Sequence, residues 1–449
     1  MKTRHRVNNV SGLQTFHILR FTTFLLISVI FTKSGLSTHD LGNFEILLFI
    51  ASVVSYFWMT GLIQSFLPLY NNNASFPGDK IDTEHRSPEI FNAFLLISFF
   101  SIFIFIFGHL IKYNVYVFNK MSTIPHVNLL LIYILISNPA HMIEYIYLLR
   151  NKSSQIVRYA VVTYTLQLIV TTGPVLLGYG IGEAMWGLIF ISFVRYLWLL
   201  ALLKKYAEFT FSWPFMKSHL YLGLPLIFST LLSGSAQYID GLVVALKYDS
   251  EAFALFRYGA KELPLVVMLA TGLHNALLPE FYNQKKTTQS LIDVRKKSAR
   301  LMHILFPVST VFLFFSDFFY PRLFNENFGR SSDVFMIYIL LIVSRLLFPH
   351  TILIGLKKTR VILIVSIFEI ILNIGLSVYL SQFYGLVGVA LATVIIFLIE
   401  KFVLIGINYG KLGIKPNEYI PVGLYLFYSS LIILVFVLID RDIIMVFGR

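Results

Sequence analysis

Along most of the chain, apolar residues follow one another without the strict alternation of a half-buried strand and without the regular charges of a soluble amphipathic helix. Thirteen such runs can be drawn, at residues 12–34, 42–69, 90–111, 124–149, 156–177, 184–203, 218–245, 252–280, 299–320, 332–356, 360–381, 386–409 and 418–439. Each approaches the ~20 residues of helix that a hydrocarbon core of ~30 Å requires. Lipid leaves no water for exposed backbone groups, so only helices or closed barrels can cross it. Continuous apolar runs choose helices over the alternating strands of a barrel. The pattern predicts an all-α integral membrane protein with twelve or thirteen transmembrane helices.

The polar residues between the runs give the orientation. With the N-terminus on the cytoplasmic side, the inner segments and their borders hold twenty-two Lys and Arg, against eight in the outer ones. That is the positive-inside bias, and it explains a net charge of +13 without any nucleic-acid partner. Met1 to Val10 are basic, but no small-residue cleavage site follows. The first run is therefore expected to stay as a span. Composition agrees, with 57% hydrophobic and only 13% charged residues, where a soluble chain carries about 25% charged. The absence of cysteine excludes disulfides, thiolate catalysis and cysteine-held metals.

The chain also repeats itself. Thr60-Gly61-Leu62 with Leu67-Pro68 returns as Thr271-Gly272-Leu273 with Leu278-Pro279, and Trp186-Gly187-Leu188 is echoed by Val387-Gly388-Val389. Spans one to six and seven to twelve then form two copies of one unit. Because six is even, the copies share one orientation, a parallel repeat whose interface is the place for a substrate. The expected architecture is two parallel six-helix bundles around a central cavity. Residues 1–205 form the N-terminal lobe, 206–410 the C-terminal lobe, and 411–449 an extra helix.

Several motifs sit at the ends of these spans. Ser37-Thr38-His39-Asp40-Leu41-Gly42-Asn43-Phe44-Glu45 lies at the start of span two, and Tyr238-Ile239-Asp240-Gly241 near the end of span seven. Ser250-Glu251-Ala252-Phe253-Ala254-Leu255-Phe256 opens span eight. Gly355, Lys357-Lys358, Asn373, Gly385, Gly388 and Ala390-Leu391-Ala392-Thr393 follow in order. In this order and spacing, over residues 10–410, the chain resembles the polysaccharide and O-antigen flippases of the multidrug/oligosaccharidyl-lipid/polysaccharide exporter superfamily. The resemblance implies a flippase that moves an undecaprenyl-diphosphate-linked oligosaccharide from the inner to the outer leaflet of a bacterial inner membrane. It also implies a lumen lined with cations, no cofactor, and partners among membrane lipids, a glycan polymerase and other assembly proteins. The thirteenth span departs from a twelve-helix pattern.

The residues best placed for this chemistry are the charges inside the runs. Arg20, Arg195, Arg257, Lys261, Arg345 and Lys401 all lie within spans. A cation in hydrocarbon costs at least ~2.5–3.5 kcal/mol, so such residues face a cavity or a partner. On a continuous helix Lys261 would sit ~14 Å into span eight and Arg345 ~20 Å into span ten. Arg257 and Lys261, at i and i+4, would share one face. Arg20, Arg257, Lys261 and Arg345 are the candidate substrate-binding cations, since diphosphate oxygens suit bidentate Arg and point-charge Lys. The alternative is pairing with Asp240, Glu262, Glu369 or Glu144. Asp240 and Glu369 are candidates for ion coupling or for charge balance. Glu400 and Lys401 are adjacent and should point apart. Tyr238 and Tyr258 are candidates for stacking on a sugar. Pro174, Pro225, Pro264 and Pro349 are candidate kinks. The basic stretch 283–300 reads as a surface helix on the inner leaflet.

Two rivals remain. A cation- or proton-coupled small-molecule exporter of the same superfamily would favour a carboxylate-rich cavity. A membrane-embedded glycan enzyme would need a metal or acid–base constellation. The histidines of the spans are scattered and no His-x-x-x-His occurs. A glycan polymerase would be expected to carry a large outer loop, and every outer loop here is short.

Overall fold

The computed structural model describes residues 9–72, 86–111, 125–281, 287–356, 358–441 and 443. The chain divides into two compact units, residues 1–231 and 232–449. Among the described residues, nine helices are long and apolar enough to cross a membrane, or ten if one bent pair is a single span. The protein is an all-helical membrane protein with no strand among the described residues, only an isolated bridge between Ser87 and Ala207.

The first unit contains α1 (Asn9–Lys33), α2 (Thr38–Asn72), α3 (Pro88–Ile111), α4 (Val127–Ala140), α5 (Ile143–Leu149), α6 (Ser153–Leu176) and α7 (Ile181–Tyr206). The motif at Ser37 is the short turn it resembles. The Ser37 hydroxyl accepts from the Asp40 amide at 3.1 Å and donates to the Asp40 carboxylate at 2.6 Å, capping α2. Helix α3 shows why these helices suit lipid. Phe99, Phe103, Ile106 and Leu110, at helical spacing, are exposed, while Ile90, Ala93, Leu96, Ile97 and Ser101 on the opposite side are buried. The buried side packs on α4; α1 packs on α6, and α7 on both α4 and α6.

Helix α8 (Trp213–Lys247) carries the chain from the first unit into the second. The second unit continues with α9 (Ser250–Gly259), α10 (Pro264–Phe281), α11 (Thr287–Leu323), α12 (Ser331–Ile339), α13 (Ile342–Arg345), α14 (Pro349–Gly355), α15 (Thr359–Leu412), α16 (Pro416–Tyr419) and α17 (Val422–Asp440). Four expectations are corrected here. Span eight is not one helix: α9 stops at Gly259 and α10 restarts at Pro264, which lacks the amide needed to continue the helical bonds. Lys261 therefore lies in the break, and the shared helix face with Arg257 does not exist. Span ten is also broken, and its two parts, Ser331–Arg345 and Pro349–Gly355, bend by 46°.

The stretch at 283–300 is not a separate surface helix. From Thr287 onward it is the first part of α11, which runs on into the membrane span, while Asn283 to Lys286 lie outside the described residues. Glu400 and Lys401 do not point apart: their charged ends meet 2.9 Å from one another. Lys357 also lies outside the described residues.

Helix α15 holds spans eleven and twelve. Gly385, with φ 57° and ψ −133°, breaks it in a conformation open only to glycine. The repeated Gly187 and Gly388 have the same packing role. A Cβ on Gly187 would meet the Val170 carbonyl oxygen of α6 at 2.2 Å, and one on Gly388 the Leu380 carbonyl oxygen at 2.3 Å. Each lets two consecutive helix segments approach backbone to backbone. The final helix α17 buries Tyr425, Ser429, Ile432, Val435 and Ile439 and packs on α11, where Tyr428 bonds His303 at 3.0 Å.

Candidate functional site

In the first unit, Arg20 of α1 lines a cleft of ≈ 410 Å³, open space included, with Tyr133 and Ser137 of α4, His141, Glu144 of α5, Tyr159 and Tyr164 of α6, and Arg195 of α7. The bend between α4 and α5 follows Pro139, and Glu144 stands in the first turn beyond it. Glu144 is buried, with His141 Nδ1 3.8 Å from its carboxylate. Arg195 donates to Gln167 Oε1 at 2.8 Å, and its guanidinium carbon lies 4.7 Å from the centre of the Tyr164 ring. The neutral Gln167 and the ring orient Arg195 without cancelling its charge. Arg20 is exposed and forms no ion pair among the described residues. Two arginines against one carboxylate leave the cleft positive.

Arg195 belongs to this cleft, although its sequence position only marks it as a cation near a span end. What sequence lacks is the partner: Gln167 and Tyr164 come from another helix at no fixed offset.

In the second unit the charges are arranged differently. Arg345 donates from Nε and Nη2 to both Glu262 oxygens, at 2.7 and 2.5 Å, and lies 5.2 Å over the Phe397 ring. Glu262 is in the break of span eight and Arg345 beside the break of span ten. The pair thus ties two interrupted helices together, the charge-balance arrangement for Arg345. Lys261 lies in the same break, 5.0 Å over the Tyr258 ring and 5.8 Å over Phe324. Arg257, on α9, is half-buried. The structure therefore brings Lys261, Glu262 and Arg345 to two helix breaks, in a different unit from Arg20. Tyr258 is not open to a sugar. It is 1% exposed, and it packs against Phe324 and Phe328 at ring distances of 4.9 and 4.5 Å. Tyr238 is half-buried.

Asp240, near the end of α8, is buried among oxygens. Thr393 donates to Oδ1 at 2.5 Å and Tyr338 to Oδ2. Thr393 is also 3.5 Å from Asn373 Oδ1, which accepts from Ser377 at 3.1 Å. Hydroxyls, not a salt bridge to Arg257 or Arg345, satisfy this carboxylate. Glu369, a turn before Asn373 on α15, lies within electrostatic reach of Glu400, Lys401 and Arg345.

A family model described as "Polysaccharide biosynthesis protein" matches residues 36–333. The chain belongs to that family. No match is found among the curated proteins. Among solved structures, the chain is similar to the lipid II flippase MurJ in an inward closed conformation, at 19% identity and TM-score 0.65, over 96% of this chain and 93% of that one. It is also similar to a multidrug resistance MATE family transporter of the MOP superfamily. The inward-facing form gives 15% identity and TM-score 0.59 over 92% and 95% of the two chains. The outward-facing form gives 15% and 0.55 over 97% and 99%. The family and its structural neighbours consist of polysaccharide biosynthesis proteins, flippases and transporters, and this chain shares their fold.

Proposed function

We propose that the chain is a flippase that carries an undecaprenyl-diphosphate-linked oligosaccharide from the inner to the outer leaflet of a bacterial cytoplasmic membrane by alternating access. In this reading the N-terminus is cytoplasmic. The single observation that carries the reading is the positive cleft of Arg20 and Arg195 in a member of a polysaccharide biosynthesis family. A diphosphate needs fixed donors in a place of low water content, where charge-assisted bonds are strong. Arg20 offers a free guanidinium, and Arg195 one held in place by Gln167 and Tyr164. Lys261 and Arg257 are further contacts in the second unit, whereas Arg345 serves Glu262. Asp240, with its hydroxyl and amide surroundings, is the candidate for ion coupling.

The MATE likeness supports a rival, export of a small molecule by the same fold. One experiment separates the two. Deleting the gene should trap a lipid-diphosphate oligosaccharide on the inner leaflet, and Arg20→Ala, expressed at normal level, should fail to release it. Normal surface glycan in the deletion strain together with lost drug efflux would establish the rival instead.

A further inference from the structure

The second unit holds a group of titratable side chains that diphosphate binding does not use. His350, on α14, is gripped on both ring nitrogens: Nε2 is 2.8 Å from Glu400 Oε1, and Nδ1 is 3.0 Å from Lys401 Nζ. Lys401 also donates to Glu400 Oε2 at 2.9 Å, closing a three-membered ring of contacts. An ammonium is a donor only, so Nδ1 accepts and Nε2 carries the hydrogen. His350 is thereby held neutral. His274 of α10 faces the same helix from the other side, with Nδ1 2.7 Å from Thr351 Oγ1.

The charges around this ring do not balance. From the break of span eight comes Glu262, from α13 Arg345, and from α15 Glu369, Glu400 and Lys401. Arg345 is committed to Glu262 by two bonds and Lys401 to Glu400. Glu369 is left over. It is half-buried, it senses the negative Glu400 as well as the positive Lys401 and Arg345, and no described side chain hydrogen-bonds its carboxylate. An unmatched carboxylate at this depth is costly. A metal cation would meet two fixed cations and nitrogen donors there, whereas a proton needs no cage.

We propose that Glu369 is an exchangeable proton site. It takes one proton from water onto its carboxylate, which brings the five-charge group from one net negative charge to neutrality, and releases it when the unit changes conformation. The ring of His350, Glu400 and Lys401 keeps the neighbouring charges constant while Glu369 cycles. This gives the transport reading above a proton as its driving ion.

The first test does not depend on that reading. The full-length protein, in vesicles of phosphatidylethanolamine and phosphatidylglycerol, is titrated by infrared difference spectroscopy. A protonated-carboxyl band should appear as pH falls, vanish in Glu369→Gln and return at a shifted frequency in Glu369→Asp. A band unchanged in Glu369→Gln, or no band assignable to Glu369 in the wild type, would overturn the proposal. A second arm follows a fluorescent glycan on undecaprenyl diphosphate across the same vesicles. A pH gradient should accelerate the wild type, and Glu369→Gln should lose the acceleration. Acceleration retained in that variant would overturn the coupling. Titration at Glu369 with no lipid movement in any variant would uphold the proton site and refute the flippase reading alone.

Discussion

The Glu262–Arg345 pair gives the sharpest quantitative test. Arg345→Ala removes two charge-assisted bonds and leaves Glu262 without its partner at a helix break. Hydrogen bonds to charged groups contribute about 1.5–3 kcal/mol each, and breaking a buried pair from one side costs about 3–5 kcal/mol. The side chains here retain 33% and 22% exposure. Water reaches part of the pair, so about 2–3 kcal/mol is expected. Glu262→Gln should cost less, because an amide keeps one acceptor. The double variant Glu262→Gln, Arg345→Met leaves no orphaned charge and should recover much of the loss, with a coupling energy of about 1–3 kcal/mol. The assay is reversible unfolding of the purified protein in detergent, run as a double-mutant cycle alongside glycan transport. If Arg345 serves mainly to hold the two breaks together, the double variant regains transport with stability. A coupling below about 0.5 kcal/mol, or a stable double variant with no transport, would refute this and return Arg345 to the substrate.

Other substitutions test separate parts of the structure. Arg20→Ala should weaken binding of undecaprenyl diphosphate about ten- to a hundred-fold, the loss of one charge-assisted contact, with unchanged thermal stability; direct titration of the lipid checks it. Gly187→Ala and Gly388→Ala should each destabilise by about 1–3 kcal/mol through forced backbone separation. Gly272→Ala, with nothing within 4 Å of the new Cβ, should be neutral within about 0.5 kcal/mol. Denaturation midpoints decide both. Asp240→Ala should destabilise by about 1–3 kcal/mol, because Tyr338 and Thr393 lose their acceptor, and Asp240→Asn by less; unequal effects in the reverse order would show that the hydroxyl cluster is misread.

The membrane class and most span positions were legible because lipid imposes a length and an apolar character that no tertiary contact can override. The turn at Ser37 was legible for a similar reason: capping is local chemistry. The helix breaks were only half legible. Pro264 and Pro349 are visible, but Gly259 ends α9 where a Cβ would meet the Ser331 carbonyl oxygen at 2.4 Å, a contact between distant segments. Once the break is missed, Lys261 is assigned a helix face it does not have. The same limit applies to the charges. The six cations within spans were evident from the sequence, yet their roles depend on partners far along the chain. Arg345 finds Glu262, Lys401 finds His350, and Arg195 finds Gln167. Helical spacing separates Glu400 from Lys401 by direction, but side chains long enough to curl back toward a common histidine override that spacing.

The interruption at residues 260–263 also bears on how the chain enters the bilayer. Helix α9 has ten residues, including Glu251 and Arg257, and the next two charges, Lys261 and Glu262, follow immediately. At about 2.5–3.5 kcal/mol for each Asp, Lys or Arg near a helix centre, this segment is a poor substrate for the translocon by itself. Its stable placement depends on the countercharge of Arr345 and the Ser331 contact, both supplied by residues synthesised more than sixty positions later. Biogenesis of this half is thus expected to be delayed, with residues 250–281 settling only after the tenth span has emerged from the ribosome.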